Sequence, residues 1–128
     1  MRRKQVICRL SVSRWAPLIV YRNDNGVRVI TLHGPRLDAV GAPALRASLT
    51  EHVNDRPSRV IVDASALEYS DSSGLGVIVS LLKMMDRSGR LAIAGPAGAV
   101  RRAFEKTRLD QLVVLTNTLD EAYAAMAR

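Results

Sequence analysis

The chain has 128 residues and a net charge of +7, and its 48% apolar and 24% charged residues are typical of one globular domain and exclude a disordered chain. A single cysteine excludes an internal disulfide and a cysteine-only zinc site. With 4% aromatic residues and no apolar run of about 20 residues, we expect a cytoplasmic protein with no membrane span and no direct nucleic-acid contact.

The net positive charge is concentrated at the N-terminal end of the chain, where residues 1–17 form a basic arm. Six basic residues and no acidic one lie within residues 1–22, whereas the rest of the chain has 13 basic against 12 acidic residues. Such an arm either contacts phosphates or anionic lipid, or is a solvated extension. Its apolar residues alternate with polar ones, which is the period of an extra strand: Val6, Cys8, Leu10 and Val12.

In the body, residues 18–128, strand patterns alternate with helix patterns. A turn at residues 23–26 separates two strand patterns, 18–21 and 27–32, and predicts a hairpin. The patterns that follow predict a helix over 42–53, a strand over 59–62, a helix over 72–87, a strand over 91–94, a helix carrying Val100 and Phe104, a strand over 112–115 and a final helix after Thr118. Gly89 is expected to end the long helix in the left-handed conformation. The sequence therefore predicts a small α/β domain, with a mixed, mostly parallel sheet of four to five strands packed by about four helices.

The run Asp71-Ser72-Ser73-Gly74-Leu75-Gly76 opens the long helix shortly after a strand. Asp71 and Ser72 are good cap residues, because a short side-chain oxygen can accept hydrogen bonds from the amides of the first turn. Gly74 and Gly76 are poor helix formers, so they indicate close approach of a neighbouring segment or of a partner. A phosphate on Ser72 would lie at the positive end of the helix dipole, where its charge is tolerated. A plain helix cap is the alternative.

Apolar residues cover about 220° of the long helix, more than a surface helix needs. Three residues near the middle of this arc are expected in the core: Ile78, Leu82 and Met85. Val77 and Met84 lie at its edge, where exposed apolar surface would suit a partner. The opposite side carries Gly76, Ser80, Lys83 and Arg87. In the alternative interpretation, the whole arc packs under neighbouring loops.

Catalytic motifs are missing from this sequence. Ser72 is not in a Gly-x-Ser-x-Gly elbow, and residues 74–76 lack the lysine of a phosphate loop and the third glycine of a dinucleotide fingerprint. His33 and His52 are not clustered with other metal ligands. We therefore expect a protein that is not an enzyme and holds no metal or cofactor.

Residues 18–128 resemble a STAS domain of the bacterial anti-sigma factor antagonist family. The matching features are the run 71–76 after a Val-Ile-Val-Asp strand, Leu37-Asp38 after the hairpin, and the strand 91–95 with the helix that follows it. The resemblance implies that Ser72 is phosphorylated by an anti-sigma factor that is itself a serine kinase, and that a serine phosphatase removes the phosphate. It also implies that the unphosphorylated form binds the anti-sigma factor and releases a sigma factor.

The resemblance also places an aspartate close to the serine. The Gly-x-Leu-Asp motif of the family is one residue longer here, Gly34-Pro35-Arg36-Leu37-Asp38, and Asp38 is the matching residue. We expect Asp38 to accept a hydrogen bond from the Ser72 hydroxyl and to repel an added phosphate, with Asp71 as a second negative group. A turn residue before the first helix is the alternative for Asp38.

The predicted partner-binding surface combines the neighbours of Ser72 with one side of its helix: Asp38, Asp71, Ser73, Gly74, Gly76, Val77, Ser80, Lys83 and Met84. Two other functions stay open, a scaffold subunit of a signalling assembly and an accessory module of a membrane transporter complex. A homodimer is also left open.

Overall fold

The computed structural model describes residues 4–9 and 18–127. The described strands are β1 (Lys4–Arg9), β2 (Leu18–Asp24), β3 (Val27–His33), β4 (Arg36–Leu37), β5 (Arg59–Asp63), β6 (Tyr69–Ser70), β7 (Arg90–Ala94) and β8 (Val114–Thr116). The described helices are α1 (Ala42–His52), α2 (Ser72–Met84), α3 (Gly98–Lys106) and α4 (Leu119–Met126), and a 3-10 turn covers Leu109–Gln111.

Within the described residues, the main sheet has six strands in the order β1-β2-β3-β5-β7-β8. Strands β1, β2 and β3 pair antiparallel, and β3, β5, β7 and β8 pair parallel. Five of these strands come from the body of the chain, and β1 lies in the arm; residues 10–13, where the alternating pattern of the arm continues, lie outside the described residues. The predicted α/β domain with a mixed, mostly parallel sheet is confirmed.

The hairpin between β2 and β3 closes with a two-residue turn. Asn25 and Gly26 both have positive φ angles, 53° and 81°. Two central residues with positive φ are typical of the turn that matches the twist of antiparallel strands, and Asn-Gly is its preferred sequence. The turn sets the register in which Asp24 pairs with Val27.

Helices cover both faces of the sheet. Helices α1, α2 and α3 contribute Leu45, Ile78 and Phe104 to one buried cluster, together with strand residues of the same face. Helix α4 packs on the opposite face, where its Ala122, Ala125 and Met126 form a second buried cluster with residues of β3, β5 and β7. The start of α4 is the predicted one, because the Thr118 side chain accepts a hydrogen bond from the Glu121 amide at 3.1 Å.

The end of α2 differs from the prediction. The helix ends at Met84 and not at Arg87, because the Asp86 amide donates to the Pro57 carbonyl at 3.1 Å and the Asp86 carboxylate accepts from the Ser88 amide at 3.2 Å. Gly89 is not among the described residues with positive φ, so its predicted left-handed conformation is wrong. A Cβ at Gly89 would lie 2.7 Å from the Asp86 carbonyl oxygen, so the tight turn itself requires glycine.

The parallel strands give the molecule two distinct edges. We call residues 33–41, 63–71, 94–97 and 116–118, where these strands end, the carboxyl edge. Residues 23–28, 53–59, 85–90 and 107–113, where they begin, form the amino edge. At the carboxyl edge, β4 pairs in parallel with β6, so Leu37 lies opposite Ser70. This short pairing brings the residues that follow, Asp38 and Asp71, to the same place.

Candidate functional site

Asp71 organises the start of α2. One of its carboxylate oxygens accepts hydrogen bonds from the amides of Ser73 and Gly74 at 2.9 and 3.1 Å. The other accepts from the Ala39 amide at 3.2 Å, and the Leu75 amide donates to the Asp71 carbonyl at 3.1 Å. Asp71 therefore caps the helix, as predicted, and also ties it to the loop between β4 and α1.

Ser72 is the first residue of α2, and its side chain is exposed. The neighbouring serines are less accessible, because Ser73 is half-buried and the half-buried Ser70 hydroxyl donates to the Asp71 carbonyl at 3.2 Å. Among the described residues, no hydrogen bond holds the Ser72 hydroxyl. Of Ser70, Ser72 and Ser73, Ser72 therefore has the most accessible side chain.

Gly74 is required by close packing. A Cβ at this buried position would lie 2.6 Å from the Leu37 carbonyl oxygen and would also collide with the Ser70 hydroxyl. The neighbouring segment that the sequence predicted here is therefore the β4 strand. Gly76 has no such neighbour, because the nearest atom to a Cβ there is the end of the Arg46 side chain at 3.6 Å.

Asp38 lies in the loop beside the helix but not in the predicted contact. One of its oxygens accepts from the Val40 amide at 3.1 Å, and the other pairs with the Arg36 guanidinium at 3.3 Å. Among the described residues, the predicted hydrogen bond from Ser72 to Asp38 is not made, because both oxygens of Asp38 face local donors. Partial loss of solvent raises the pKa of Asp38, but the Val40 amide, Arg36 and the Gly41 amide outweigh it and hold the pKa below its ordinary value of 3.8.

The prediction that Val77 is exposed is wrong. Its side chain is fully buried, in one cluster with Ala42, Leu45 and Leu49 of α1. Helix α1 runs beside α2, and its Arg46 donates to the Ser80 hydroxyl at 3.2 Å. This neighbouring helix covers one edge of the apolar arc, which the sequence pattern of α2 alone could not show.

The rest of the predicted surface is accessible to different degrees. Lys83 is exposed, whereas Gly76, Ser80 and Met84 are half-buried. In the middle of the arc, Ile78 and Met85 are in the core as predicted, but Leu82 is only half-buried.

Sequence reasoning missed three residues at the carboxyl edge. Val40 and Tyr69 are large apolar side chains with 61% and 43% of their surface exposed. The Arg36 guanidinium lies over the Tyr69 ring, 4.7 Å from its centroid. Exposed apolar and aromatic side chains that lie together are typical of a protein-binding surface, and turn residues such as Val40 carry no sequence signal of exposure.

The two histidines lie apart from this site. His33 is exposed at the end of β3, while His52 stacks on Tyr21 with ring centroids 4.5 Å apart and contacts the Ser48 carbonyl through Nδ1 at 2.9 Å. In the described part of the chain, no group of three His, Cys, Asp or Glu side chains could hold a metal ion. None of the described helices has the length and apolar character needed to cross a membrane.

Comparisons with known proteins agree with this geometry. The family model of the STAS domain matches residues 19–122. The anti-sigma-F factor antagonist RsfB of Mycobacterium tuberculosis is 28% identical over 104 residues, which cover 81% of this chain and 84% of RsfB. The anti-sigma-B factor antagonist of Staphylococcus aureus is 33% identical over 81 residues, which cover 62% of this chain and 75% of that protein.

The same relationship is found among solved structures. The crystal structure of an anti-sigma factor antagonist from Mycobacterium paratuberculosis matches with a TM-score of 0.81 and 28% identity, covering 91% of this chain and 98% of that one. The resemblance predicted from the run 71–76 and its surroundings is confirmed. Since the family model spans most of the body, including α2 and Ser72, the chain belongs to the STAS domain family.

Proposed function

We propose that this protein is an anti-sigma factor antagonist whose binding to an anti-sigma factor kinase is switched off by phosphorylation of Ser72. The observation that carries the proposal is the exposed Ser72 hydroxyl at a helix start whose amides are already bonded to Asp71. The names of the relatives, anti-sigma-F and anti-sigma-B factor antagonists, support the same function.

Phosphoryl transfer to Ser72 needs no catalytic group from this chain besides the hydroxyl itself. The Ser72 oxygen would form a bond to the terminal phosphorus of ATP, the bond from that phosphorus to ADP would break, and the hydroxyl proton would pass to a base. Asp38 and Asp71 are poor candidates for the base, because their carboxylate oxygens already accept from Val40, Arg36 and the amides around Asp71. The kinase therefore supplies the base and the magnesium-bound nucleotide.

The added phosphate would change the surface and not the fold. It carries about −1.5 to −2 charges at neutral pH. The helix amides that could donate hydrogen bonds to the phosphate already donate to Asp71. The start of α2 therefore neutralises less of the phosphate charge than a helix start without a side-chain cap would. Asp38, Asp63, Glu68 and Asp71 lie at the same edge with a single cation, Arg36, so the charge adds to an acidic surface. A partner that fits the unmodified edge would then meet uncompensated repulsion.

The contact surface we propose surrounds Ser72 and follows the exposed side of α2. Val40 and Tyr69 supply the exposed apolar area, and Lys83 and the half-buried Met84 extend it along the helix. Asp71, Ser73 and Gly74 shape the edge through their hydrogen bonds and close packing, and Gly76 and Ser80 lie where α1 meets α2.

The test combines modification with binding. Purified protein is incubated with ATP and the anti-sigma factor kinase of the same organism, and peptide mass spectrometry is expected to find phosphate on Ser72 and not on Ser70 or Ser73. In titration calorimetry, Ser72→Asn should bind this kinase nearly as well as the unmodified chain, whereas its charged isostere Ser72→Asp should bind at least about tenfold more weakly. Treatment with a serine phosphatase should restore binding of the phosphorylated chain.

Two results would contradict this proposal. Equal affinity of the Ser72→Asn and Ser72→Asp variants would show that charge at this position does not control docking. Co-purification of the native chain with a transporter or a large signalling assembly, with no anti-sigma factor present, would favour one of the alternative functions.

A further inference from the structure

The amino edge has a charge opposite to that of the carboxyl edge. Its residues include six arginines and four aspartates among the described residues, whereas the carboxyl edge has one arginine against four acidic residues. One of the six, Arg28, is neutralised by Asp55 at 2.6 Å. The excess positive charge therefore lies farther along the edge, between β5 and β8.

Four of these arginines lie on two adjoining loops or on the first residue of the strand that follows each loop, and we call them the arginine patch: Arg56, Arg59, Arg87 and Arg90. The loops are joined where the Asp86 amide donates to the Pro57 carbonyl at 3.1 Å and the Arg90 amide donates to the Ser58 carbonyl at 2.8 Å. All four side chains are exposed, and Arg59 lies directly opposite Arg90 in the sheet register. The Arg90 guanidinium also donates to the Ala125 carbonyl of α4 at 2.9 Å.

One acidic residue lies within the arginine patch. The Asp86 carboxylate bonds to the hydroxyl and amide of Ser88, and these contacts, with a smaller contribution from the charge of Arg56, lower its pKa. Leaving Arg90 aside, a single aspartate cannot neutralise Arg56, Arg59 and Arg87. The patch therefore keeps a net positive charge.

Strand β1 of the basic arm begins at this same edge. Strand β1 starts at Lys4, which pairs with Asn23 beside the hairpin turn. Arg2 and Arg3 precede Lys4 directly in the sequence. The sheet topology thus places the start of β1 at the edge that carries the arginine patch.

Exposed apolar side chains accompany these charges. Leu112 and Val114 have 62% and 38% of their surface exposed. Val114 of β8 pairs with Ala92, two residues after Arg90, so Leu112, two residues before Val114, lies near the patch at the amino edge. Arg108, also exposed, lies on the same loop as Leu112.

We infer that the amino edge is a docking surface for an anionic lipid bilayer. Clustered arginines attract acidic headgroups, and each cation near such a surface contributes to binding, while an exposed leucine can enter the headgroup layer. Nucleic acid fits less well, because no exposed aromatic ring lies at this edge among the described residues for bases to stack on. The bound domain would hold its carboxyl edge, and with it Ser72, away from the membrane.

Vesicle sedimentation tests the inference with the full chain. Vesicles of phosphatidylcholine containing phosphatidylglycerol should bind the protein, vesicles of phosphatidylcholine alone should not, and added salt should weaken the binding. Reversing two charges of the patch, Arg59→Glu with Arg87→Glu, should lower the partition coefficient at least about tenfold. Leu112→Ser should lower it to a smaller extent.

The matched control has the same net charge but changes the surface elsewhere. Arg46→Glu with Arg102→Glu alters exposed residues of α1 and α3 and should bind the acidic vesicles much better than the patch variant. The inference is overturned if both double variants lose binding equally, if both vesicle types bind alike or not at all, or if duplex DNA at equal phosphate concentration is bound more tightly than the acidic vesicles.

Discussion

Asp71 is the residue on which the geometry around Ser72 depends. Its two carboxylate oxygens accept from three amides, two in α2 and one in the loop before α1. The sequence predicted the cap, because aspartate before a helix accepts from first-turn amides. It did not predict the bond to Ala39, which exists only because β4 and β6 pair and bring two distant loops together.

Gly74 and Gly76 should respond differently to alanine. Gly74→Ala places a Cβ 2.6 Å from the Leu37 carbonyl oxygen, so we expect a loss of about 1–3 kcal/mol in the free energy of unfolding. Gly76→Ala has room, with its nearest neighbour at 3.6 Å, and should gain up to about 1 kcal/mol from helix propensity. Urea denaturation measures both changes. A stabilised Gly74→Ala variant would show that the close approach of β4 is wrong.

The stability of the protein should depend on Asp55 at low pH. The hydrogen bond and charge of Arg28 hold the pKa of Asp55 below its ordinary value of 3.8. A carboxylate with a lowered pKa in the folded state stabilises the protein above the unfolded-state pKa, and this stabilisation is lost as the pH falls through the folded-state pKa. Since 56% of the Asp55 side chain is exposed, screening limits the contribution to about 1 kcal/mol or less.

The measurement compares the unmodified chain with Asp55→Asn. Between about pH 6 and about pH 3, the free energy of unfolding should fall less for Asp55→Asn, because this variant has lost the titrating group. An equal fall in both proteins would show that the pair with Arg28 contributes nothing to stability.

At the scale of elements, the apolar periodicity of helix α2 predicted some features of its packing and not others. Its apolar arc correctly predicted a helix starting at Ser72 with Ile78 in the core. The pattern could not separate the two edges of the arc, because the burial of each edge depends on the neighbouring element. Helix α1 covers the edge with Val77, and Met84 on the other edge stays half-buried.

Val77 and Met84 should therefore differ in their effects when changed to alanine. Val77→Ala should lower the free energy of unfolding by about 2 kcal/mol, because it removes fully buried methyl groups, and should leave partner affinity nearly unchanged. Met84→Ala should have the smaller effect on unfolding and the larger effect on binding to the anti-sigma factor kinase. Denaturation and calorimetry on both variants measure these effects, and the reverse order would remove Met84 from the contact surface.

At the scale of the whole molecule, the fold sorts the charges. Beyond residue 22, the chain has 13 basic and 12 acidic residues, and their order along the sequence shows no segregation. In the structure, loops distant in sequence meet at two edges, one acidic around Ser72 and one basic around Arg59 and Arg90. The two proposed surfaces thus lie at opposite ends of the parallel strands, and a partner at one edge leaves the other free.

The sequence by itself determined the order of the longer strands and helices, the hairpin turn, the caps of α2 and α4, and the position of Ser72, since each depends on residues that are neighbours along the chain. It did not predict the short strands β4 and β6. The tertiary structure alone decided the partners of Asp38, the burial of Val77 and the close contact at Gly74. It also decided which charges share an edge. These features depend on which segments the sheet brings side by side. The energies of such long-range contacts cannot be deduced from the pattern of residues that are neighbours in sequence.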